Sequence, residues 1–595
     1  MCLGLGTLSK YPATRSFGTR WYRPGVKQQS PLRCPFASQG RALIPPLLSN
    51  RTALPAKTAE NQIAGIEKRL LAVVPRPHPA LVPRRRLPLP FLAIPDHPVY
   101  HVPDIYRQPL SHQKPKWQDA VVSVARRRKV QDPSLPWPVD VEAAQLPDSM
   151  AMVMGSLQDQ LGGTPVNPMS QRVTLSQLAR EFFNLPENNW LTDATPMAFD
   201  TWVARFSPNR QQQLLAAREM VSLHGLESKD AIMAVFTKTE TSSRATDPRN
   251  ISPRSDRFLS VLGPHVARIE QLAKDCPYLV KGLTPQQRGA RISASRLSQA
   301  TETDFSRFDM TVSRDIIETV EEQMFRKVYP RGEYPDFDAA LRCLSFLEGA
   351  SSLGVRYAIE GTRASGDAHT SISNGIINRF VIWACLRHLP TDSWNSFHEG
   401  DDGVIHSTDD VTEPLRKALT FAGLLGFKLT VVIPDTPDHV NFCGRYTCPG
   451  CHREYCDLER TLTKFHTTYR PGEAKSLMLA KALSYFSTDS HTPVVGPLCH
   501  ALIKHLAPKV SDRLLRRRLA ELHWFDRAKV VAGLAVDESV VQDCCRVSLA
   551  RVTNWTIDLQ KAVEDDCRSW EHGIPHRSPV VVDDYLVDGP SHVVY

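Results

Sequence analysis

The distribution of proline constrains this chain more than any other feature. Of 46 prolines in 595 residues, 22 fall in the first 150. Proline is kept out of helix interiors and central strands because it lacks an amide hydrogen and its ring clashes with the preceding turn. The first quarter is therefore expected to be a poorly structured leader. Beyond Met150 the proline density falls and helical periodicity begins, for example over Asn209 to Leu223, so the folded body is expected from there onward.

The leader is also basic. From Met1 to Ala59 there is no Asp or Glu, while Lys10, Arg15, Arg20, Arg23 and Lys27 open a longer series of cations. That composition suits an organelle transit peptide, but the seven prolines of the segment interrupt an amphipathic helix and favour a basic disordered arm. Ile63, Ile66, Leu70 and Val74 share one helical face, suited to packing on the body or to lying on a membrane surface. Arg84-Arg85-Arg86 and Arg126-Arg127-Arg128-Lys129 fit an anionic partner or plain solvated surface. Over the whole chain 72 Lys and Arg face 63 Asp and Glu, a net charge of +9 that suits a polyanion without naming one. No apolar run approaches the roughly 18–20 residues that span a bilayer. The 13 cysteines, odd in number and scattered, read as reduced thiols rather than a disulfide framework.

The chemistry concentrates between Ser298 and His406. Asp304 and Asp309 lie five residues apart in Thr-Asp304-Phe-Ser-Arg-Phe-Asp309, at the predicted end of a strand. A helix follows, with Ser313 as N-cap and Ile316, Ile317, Val320, Met324 and Val328 on its buried side. Next comes a small-residue loop, Gly361-Thr-Arg-Ala-Ser365-Gly366-Asp367, running into a helix on which Thr370, Asn374 and Asn378 share one face. Ile372, Ile376, Phe380 and Ala384 form another face, so a polar row on an otherwise apolar helix argues for a polar ligand. The third element is Gly400-Asp401-Asp402-Gly403 between two apolar stretches, a hairpin whose turn carries adjacent carboxylates. A Gly-Asp-Asp triplet alone arises by chance in about one chain in ten of this length, so the weight lies in order and distance. Together these elements supply what phosphoryl transfer at a nucleic-acid end requires: acidic oxygen ligands for two divalent cations, and positioned groups around them.

Asp304 to Asp309, Ser365 to Asn374 and Gly400 to Asp402 resemble motifs A, B and C of the viral RNA-dependent RNA polymerases. The resemblance is closest to the tombusvirus-like positive-strand group, with nodavirus features in Asp304-Phe-Ser-Arg-Phe-Asp309. Phe236 to Arg254 is similar to motif F, Gly426-Phe-Lys428-Leu to motif D, and Val440 to Arg445 to motif E; the likeness spans about Phe199 to Lys464. It implies an α+β right-hand polymerase with an antiparallel-sheet palm: an N-terminal extension over 1–150, fingers over 151–300 with 331–365 contributing, a palm over 301–445 and a thumb over 446–595. It also implies that Asp304 and Asp401, with Asp402, hold two Mg2+ or Mn2+ ions. Asp309 and Asn374, with Ser365 or Thr370, would read the ribose 2′-hydroxyl. Lys238, Arg249 and above all Arg254 would face the triphosphate, and Lys428 would protonate the leaving pyrophosphate.

The partners so implied are template and product RNA, nucleoside triphosphates, other viral replication proteins and, peripherally, host membranes. The expected location is host cytoplasm at membrane-associated replication complexes, mitochondria included. Two rivals are a reverse transcriptase, disfavoured because Asp309 stands where such enzymes typically carry a bulky aromatic, and a non-catalytic RNA-binding scaffold with a polymerase-like fold. Gly403 departs from the tombusvirus pattern, in which a larger residue often follows the paired aspartates. Arg513, Arg516, Arg517 and Arg518 form a basic stretch suited to a product duplex.

Cys448-Pro-Gly-Cys451-His452 with Cys456 and nearby Cys443 has the C-x2-C spacing of a zinc knuckle. With short loops and no second C-x2-C pair, free cysteines in a hairpin are the expectation.

Overall fold

The computed structural model describes residues 174–238, 241–242, 249–352, 356–434, 436–465, 467–468, 472–520, 530 and 539–568, together with residues 110–111 and 592–593. The proline-rich leader, with its helical segment at Glu60 to Val74 and both of its arginine clusters, lies outside the described residues but for that one dipeptide. Helices and mainly antiparallel sheets build the described part, as expected of an α+β chain. Among the described residues no helix is long and apolar enough to cross a membrane.

Two sheets matter for the site. The first has four antiparallel strands in the spatial order Leu429–Val432, Gln299–Phe305, Asp402–Ser407, Trp394–Glu399. Its register sets Thr303 opposite Gly403, Glu399 opposite Asp402 and Thr430 opposite Asp304. Alternation along Gln299–Phe305 turns Thr301, Thr303 and Phe305 inward and leaves Asp304 exposed at the strand's end. The second sheet runs Asn250–Ile251, Met233–Thr237, Phe346–Ser351, Arg356–Glu360, and its Met233–Thr237 and Phe346–Ser351 strands are parallel.

The helix Thr370–Leu386 passes through the main core, and every residue from Ile372 to Leu386 is buried. A helix buried on every face belongs inside the core, with the polar side chains of Asn374 and Asn378 paired there. Leu175–Phe183, capped by Thr174, supplies one wall through Phe182, whose ring stands 5.5 Å from Phe380 and 5.4 Å from Trp383. The helix expected after Asp309 is present. Ser313 caps it through its hydroxyl, which accepts from the Ile316 amide at 3.2 Å, and Ile316, Ile317, Val320, Met324 and Val328 are all buried. One departure is that Ile317–Glu321 winds as a π-turn between the α-helical pieces Arg314–Ile316 and Glu322–Val328. The helix predicted over Asn209 to Leu223 runs from Pro208 to His224.

A second core gathers residues between Cys448 and Cys567, formed by helices Leu458–Phe465, Ala474–Asp489, Val495–Leu506, Asp512–Leu519, Asp543–Val552 and Ile557–Arg568. Arg288 joins the two bodies. Its guanidinium donates to both carboxylate oxygens of Glu454 at 2.7 and 2.8 Å and also to Glu399, the last residue of the strand before the Gly-Asp-Asp turn. Such a buried fork-to-carboxylate pair is directional as well as strong.

Candidate active site

The hairpin Trp394–Glu399 and Asp402–Ser407 turns at Gly400 and Asp401, with Gly400 at a φ of 65° that favours glycine. Because Thr303 pairs with Gly403, the next residue, Asp304, stands beside the hairpin tip. Asp304, Asp401 and Asp402 thus share one rim of the sheet. The crowding shows in the acidities of the two turn residues. Burial in the cleft and the carboxylates of Asp309, Asp402 and Asp304 push the Asp401 carboxyl up to about 6. Burial likewise raises Asp402, helped by Asp304 and Glu399 and opposed by the Cys443 thiol. Both side chains still reach solvent, so the effect comes from walls that exclude part of the water and from like charges around them. An all-oxygen donor set of several carboxylates fits hard divalent cations such as Mg2+ or Mn2+.

What holds the turn in place is Asn378. Its side-chain nitrogen lies 3.2, 3.0 and 3.2 Å from the carbonyl oxygens of Gly400, Asp401 and Asp402. The polar row on the Thr370–Leu386 helix, expected to face a ligand, is met at Asn378 by the backbone of the carboxylate turn. Close approach is allowed by Gly375, where a Cβ would sit 2.8 Å from Leu279 Cδ2 and 3.7 Å from the Gly400 nitrogen. Gly403 is explained in the same way: a Cβ there would lie 2.4 Å from Thr303 Oγ1 and 3.2 Å from His398 Nδ1.

Asp309 belongs to a second cluster. The chain leaves its strand through Arg307 at a φ of 56°, and Asp309 then accepts hydrogen bonds from the Ser365 hydroxyl and, at 3.1 Å, from Asn374 Nδ2. The backbone amide of Arg363 donates to the Asp309 carbonyl at 2.6 Å, which locks the loop against the turn. Thr370 is placed differently from Asn374, its hydroxyl donating to the Ala364 carbonyl at 2.8 Å. In this arrangement Thr370 braces the loop, while Ser365 and Asn374 meet Asp309.

Beneath this cluster lies a buried network that the sequence reading missed. Arg363, Glu321 and His369 are each about 1 to 2% exposed. Arg363 donates to Glu321, to Asn374 Oδ1 at 2.9 Å and contacts His369 Nε2 at 2.7 Å; His369 Nε2 is 3.1 Å from Glu321. Burial would raise the Glu321 carboxyl, but Arg363 and His369 override it and hold the group at about 2. The π-turn ending at Glu321 sets this residue toward the loop. In sequence, Glu321 is one acid among several in an amphipathic helix, and Arg363 is one residue of the small-residue loop, so neither carries a local signal of the pair.

The basic candidates separate in space. Arg254 is buried, and each of its nitrogens is engaged: Nε with Asp367 at 2.9 Å, the others with the carbonyls of Ala231 at 2.7 Å and Cys343 at 2.9 Å. The structure thus places Arg254 as a brace beneath the Gly366-Asp367 loop, not on its open face. Lys238 and Arg249 sit at the ends of paired strands, the Lys238 amide donating to the Arg249 carbonyl at 2.8 Å. That strand pair abuts the Ser365 loop, since the Ser252 amide donates to the Ser365 carbonyl at 2.7 Å. Lys428 is exposed, and its carbonyl accepts from the Ser306 amide at 2.9 Å, just past Asp304 on the same rim.

An antiparallel sheet thus presents carboxylates from a strand end and a hairpin turn, braced by a buried helix. Comparison with known proteins sharpens this. Residues 164–574 match the family model described as viral RNA dependent RNA polymerase, and the chain belongs to that family. It is similar to the RNA-directed RNA polymerase of Pariacoto virus, 26% identical over 340 residues, which cover 55% of this chain and 34% of the relative. The RNA-directed RNA polymerase of greasy grouper nervous necrosis virus is 28% identical over 291 residues, 47% of this chain and 29% of the relative. That of tobacco necrosis virus (strain A) is 27% identical over 276 residues, 43% and 37%. The chain spans about a third of the length of these relatives.

Proposed function

We propose that this chain is an RNA-directed RNA polymerase that copies a viral positive-strand genome by transferring nucleotides to a 3′-hydroxyl with release of pyrophosphate. The observation that carries the reading is the convergence of Asp304, Asp401 and Asp402 on one rim beside the Asp309, Ser365 and Asn374 cluster. Asp304 and Asp401, with Asp402, are the residues that would hold two Mg2+ or Mn2+ ions. Bound there, the cations would acidify the attacking hydroxyl and offset charge on the leaving pyrophosphate.

The chain's own groups take the remaining roles. Asp309 and Asn374 supply an acceptor and a donor for a ribose 2′-hydroxyl, with Ser365 as their hydrogen-bonded neighbour. Lys238 and Arg249 stand on the strand pair behind the Ser365 loop and would meet the triphosphate. Lys428, exposed beside the Asp304 strand end, would donate a proton to pyrophosphate. In hand terms, residues 151–300 with 331–365 would be fingers, 301–445 palm and 446–595 thumb, preceded by the leader. Template and product RNA, nucleoside triphosphates and other viral replication proteins are the partners of this reading. Its location would be cytoplasmic replication complexes on membranes, mitochondrial ones included, with the basic leader as the contact.

The deciding assay is templated incorporation of nucleotides with Mg2+ or Mn2+, run with both ribonucleotides and deoxynucleotides. Ribonucleotide incorporation, abolished by Asp401→Asn with the fold retained, is the expected result. Equal activity in that variant would overturn the reading; incorporation of deoxynucleotides alone would mark a reverse transcriptase, and RNA binding without incorporation a scaffold.

A further inference from the structure

The cysteine-rich hairpin acquires a partner only in three dimensions. Cys448 and Cys451 lie in the loop joining strands Arg445–Thr447 and Glu454–Cys456, and the helix Asp543–Val552 brings Cys544 and Cys545 against them from some 90 residues further on. The four sulfurs all lie within 4.8 Å of one another, with Cys451 and Cys545 at 3.4 Å. We propose that Cys448, Cys451, Cys544 and Cys545 form a structural zinc site that clamps this hairpin to the C-terminal helix.

The spacing suits a metal better than a disulfide. Zinc bound at about 2.3 Å by four thiolates in a tetrahedron sets its sulfurs about 3.8 Å apart, whereas a disulfide needs about 2.05 Å. The loop is also held by its own backbone. The turn closes through the His452 amide on the Cys448 carbonyl and the Cys448 amide on the Arg453 carbonyl, both at 2.8 Å, with His452 at a φ of 56°. Gly450 admits the helix: a Cβ there would stand 2.7 Å from Cys544 Cβ. On the other side, Cys544 and Cys545 occupy the first turn of the helix Asp543–Val552.

The ligand set differs from the one the sequence offered. Cys443 turns instead toward Glu399, and the backbone of Cys456 binds Asp489, so neither joins the cluster. The absent second C-x2-C pair is replaced by adjacent cysteines at the start of a helix. Four soft donors leave no open position, which marks a structural rather than a catalytic centre and selects zinc over magnesium. Binding converts Zn2+ and four thiols into a tetrathiolate with release of four protons, and no oxidant is needed. The clamp would act on the site at one remove, because the same hairpin carries Glu454, which grips Arg288 and through it Glu399.

The test is elemental analysis of the full chain, purified under reducing conditions without chelator or metal-affinity resin after zinc-supplemented expression. About one equivalent of zinc is expected, falling below about a tenth in Cys451→Ser and in Cys545→Ser and retained in Cys443→Ser. Cobalt exchanged into the wild-type protein should show the charge-transfer and visible bands of a tetrahedral thiolate site, a readout that does not depend on the variants folding. Zinc below about a tenth of an equivalent in the wild type would overturn the proposal, as would a Cys451–Cys545 disulfide found by peptide mapping without reductant.

Discussion

The side-chain amide of Asn378 donates to the carbonyl oxygen of Asp401 at 3.0 Å and lies 3.2 Å from the carbonyls on either side. One side chain from the buried helix therefore fixes the backbone of the whole carboxylate turn. Replacing it with Leu leaves these carbonyls without their donor, at a cost of about 1–3 kcal/mol. Asn378→Leu should lower stability in urea unfolding and weaken the Mg2+ dependence of incorporation. Asn378→Asp, which turns further acceptors on the carbonyls, should do no better. Wild-type Mg2+ dependence in both would refute the assignment.

The raised Asp401 carboxyl has a defined sign. Its proton is held more tightly in the folded chain than in the unfolded one, so without metal its contribution to stability falls as pH rises from the ordinary carboxylate value through about 6. Thermal unfolding above neutral pH should show Asp401→Asn with a higher midpoint than the metal-free wild type. Mg2+ should raise the wild-type midpoint and do less for the variant. For the same reason, incorporation should decline as pH drops through about 6, where the proton competes with the cation.

Gly403 has no room for a side chain. Gly403→Ala sets a methyl 2.4 Å from Thr303 Oγ1 and should cost about 1–3 kcal/mol by overpacking. The double variant Thr303→Ala/Gly403→Ala removes the nearest clash and should recover part of that loss in chemical denaturation. If the two changes simply add, the contact is not the cause.

Sugar selection is predicted to rest on Asp309. Asp309→Ala should reduce the ratio of kcat/KM for ribonucleotides over deoxynucleotides by about 5- to 100-fold, equivalent to about 1–3 kcal/mol. An unchanged ratio at reduced overall rate would limit Asp309 to bracing Ser365 and Asn374.

Glu321 and Arg363 form a buried pair that should be costly to split. Glu321→Gln leaves a buried guanidinium without its counter-charge and should cost about 3–5 kcal/mol, read from urea unfolding. Because Glu321 is held at about 2, its contribution is complete above the ordinary carboxylate value and is lost as pH falls toward 2. The difference between wild type and variant should shrink over that window.

The most legible parts of the sequence were local. The strand ending near Asp304, the Ser313-capped helix and the Gly400-Asp401 hairpin each carry their signal in adjacent residues, through alternation, capping and turn chemistry, and each is present. Arg254 shows where such reading stops. The resemblance set Arg254 against the triphosphate, yet its side chain is engaged by Asp367, Ala231 and Cys343, which only folding assembles. Glu321 was invisible for the same reason, since its partner lies 42 residues away on a separate loop.

The sequence by itself determined the family, the order of the carboxylate-bearing elements and the strand and helix types that carry them, because hydrophobic period and turn residues act over a few positions. Only the tertiary structure decided which polar groups meet. It set Asn378 under the Asp401 turn, Thr303 against Gly403, and Cys544 and Cys545 beside Cys448 and Cys451. Such meetings follow from the crossing of helices and the register of strands far apart in the chain, and a buried polar group takes whatever partner that packing brings within reach.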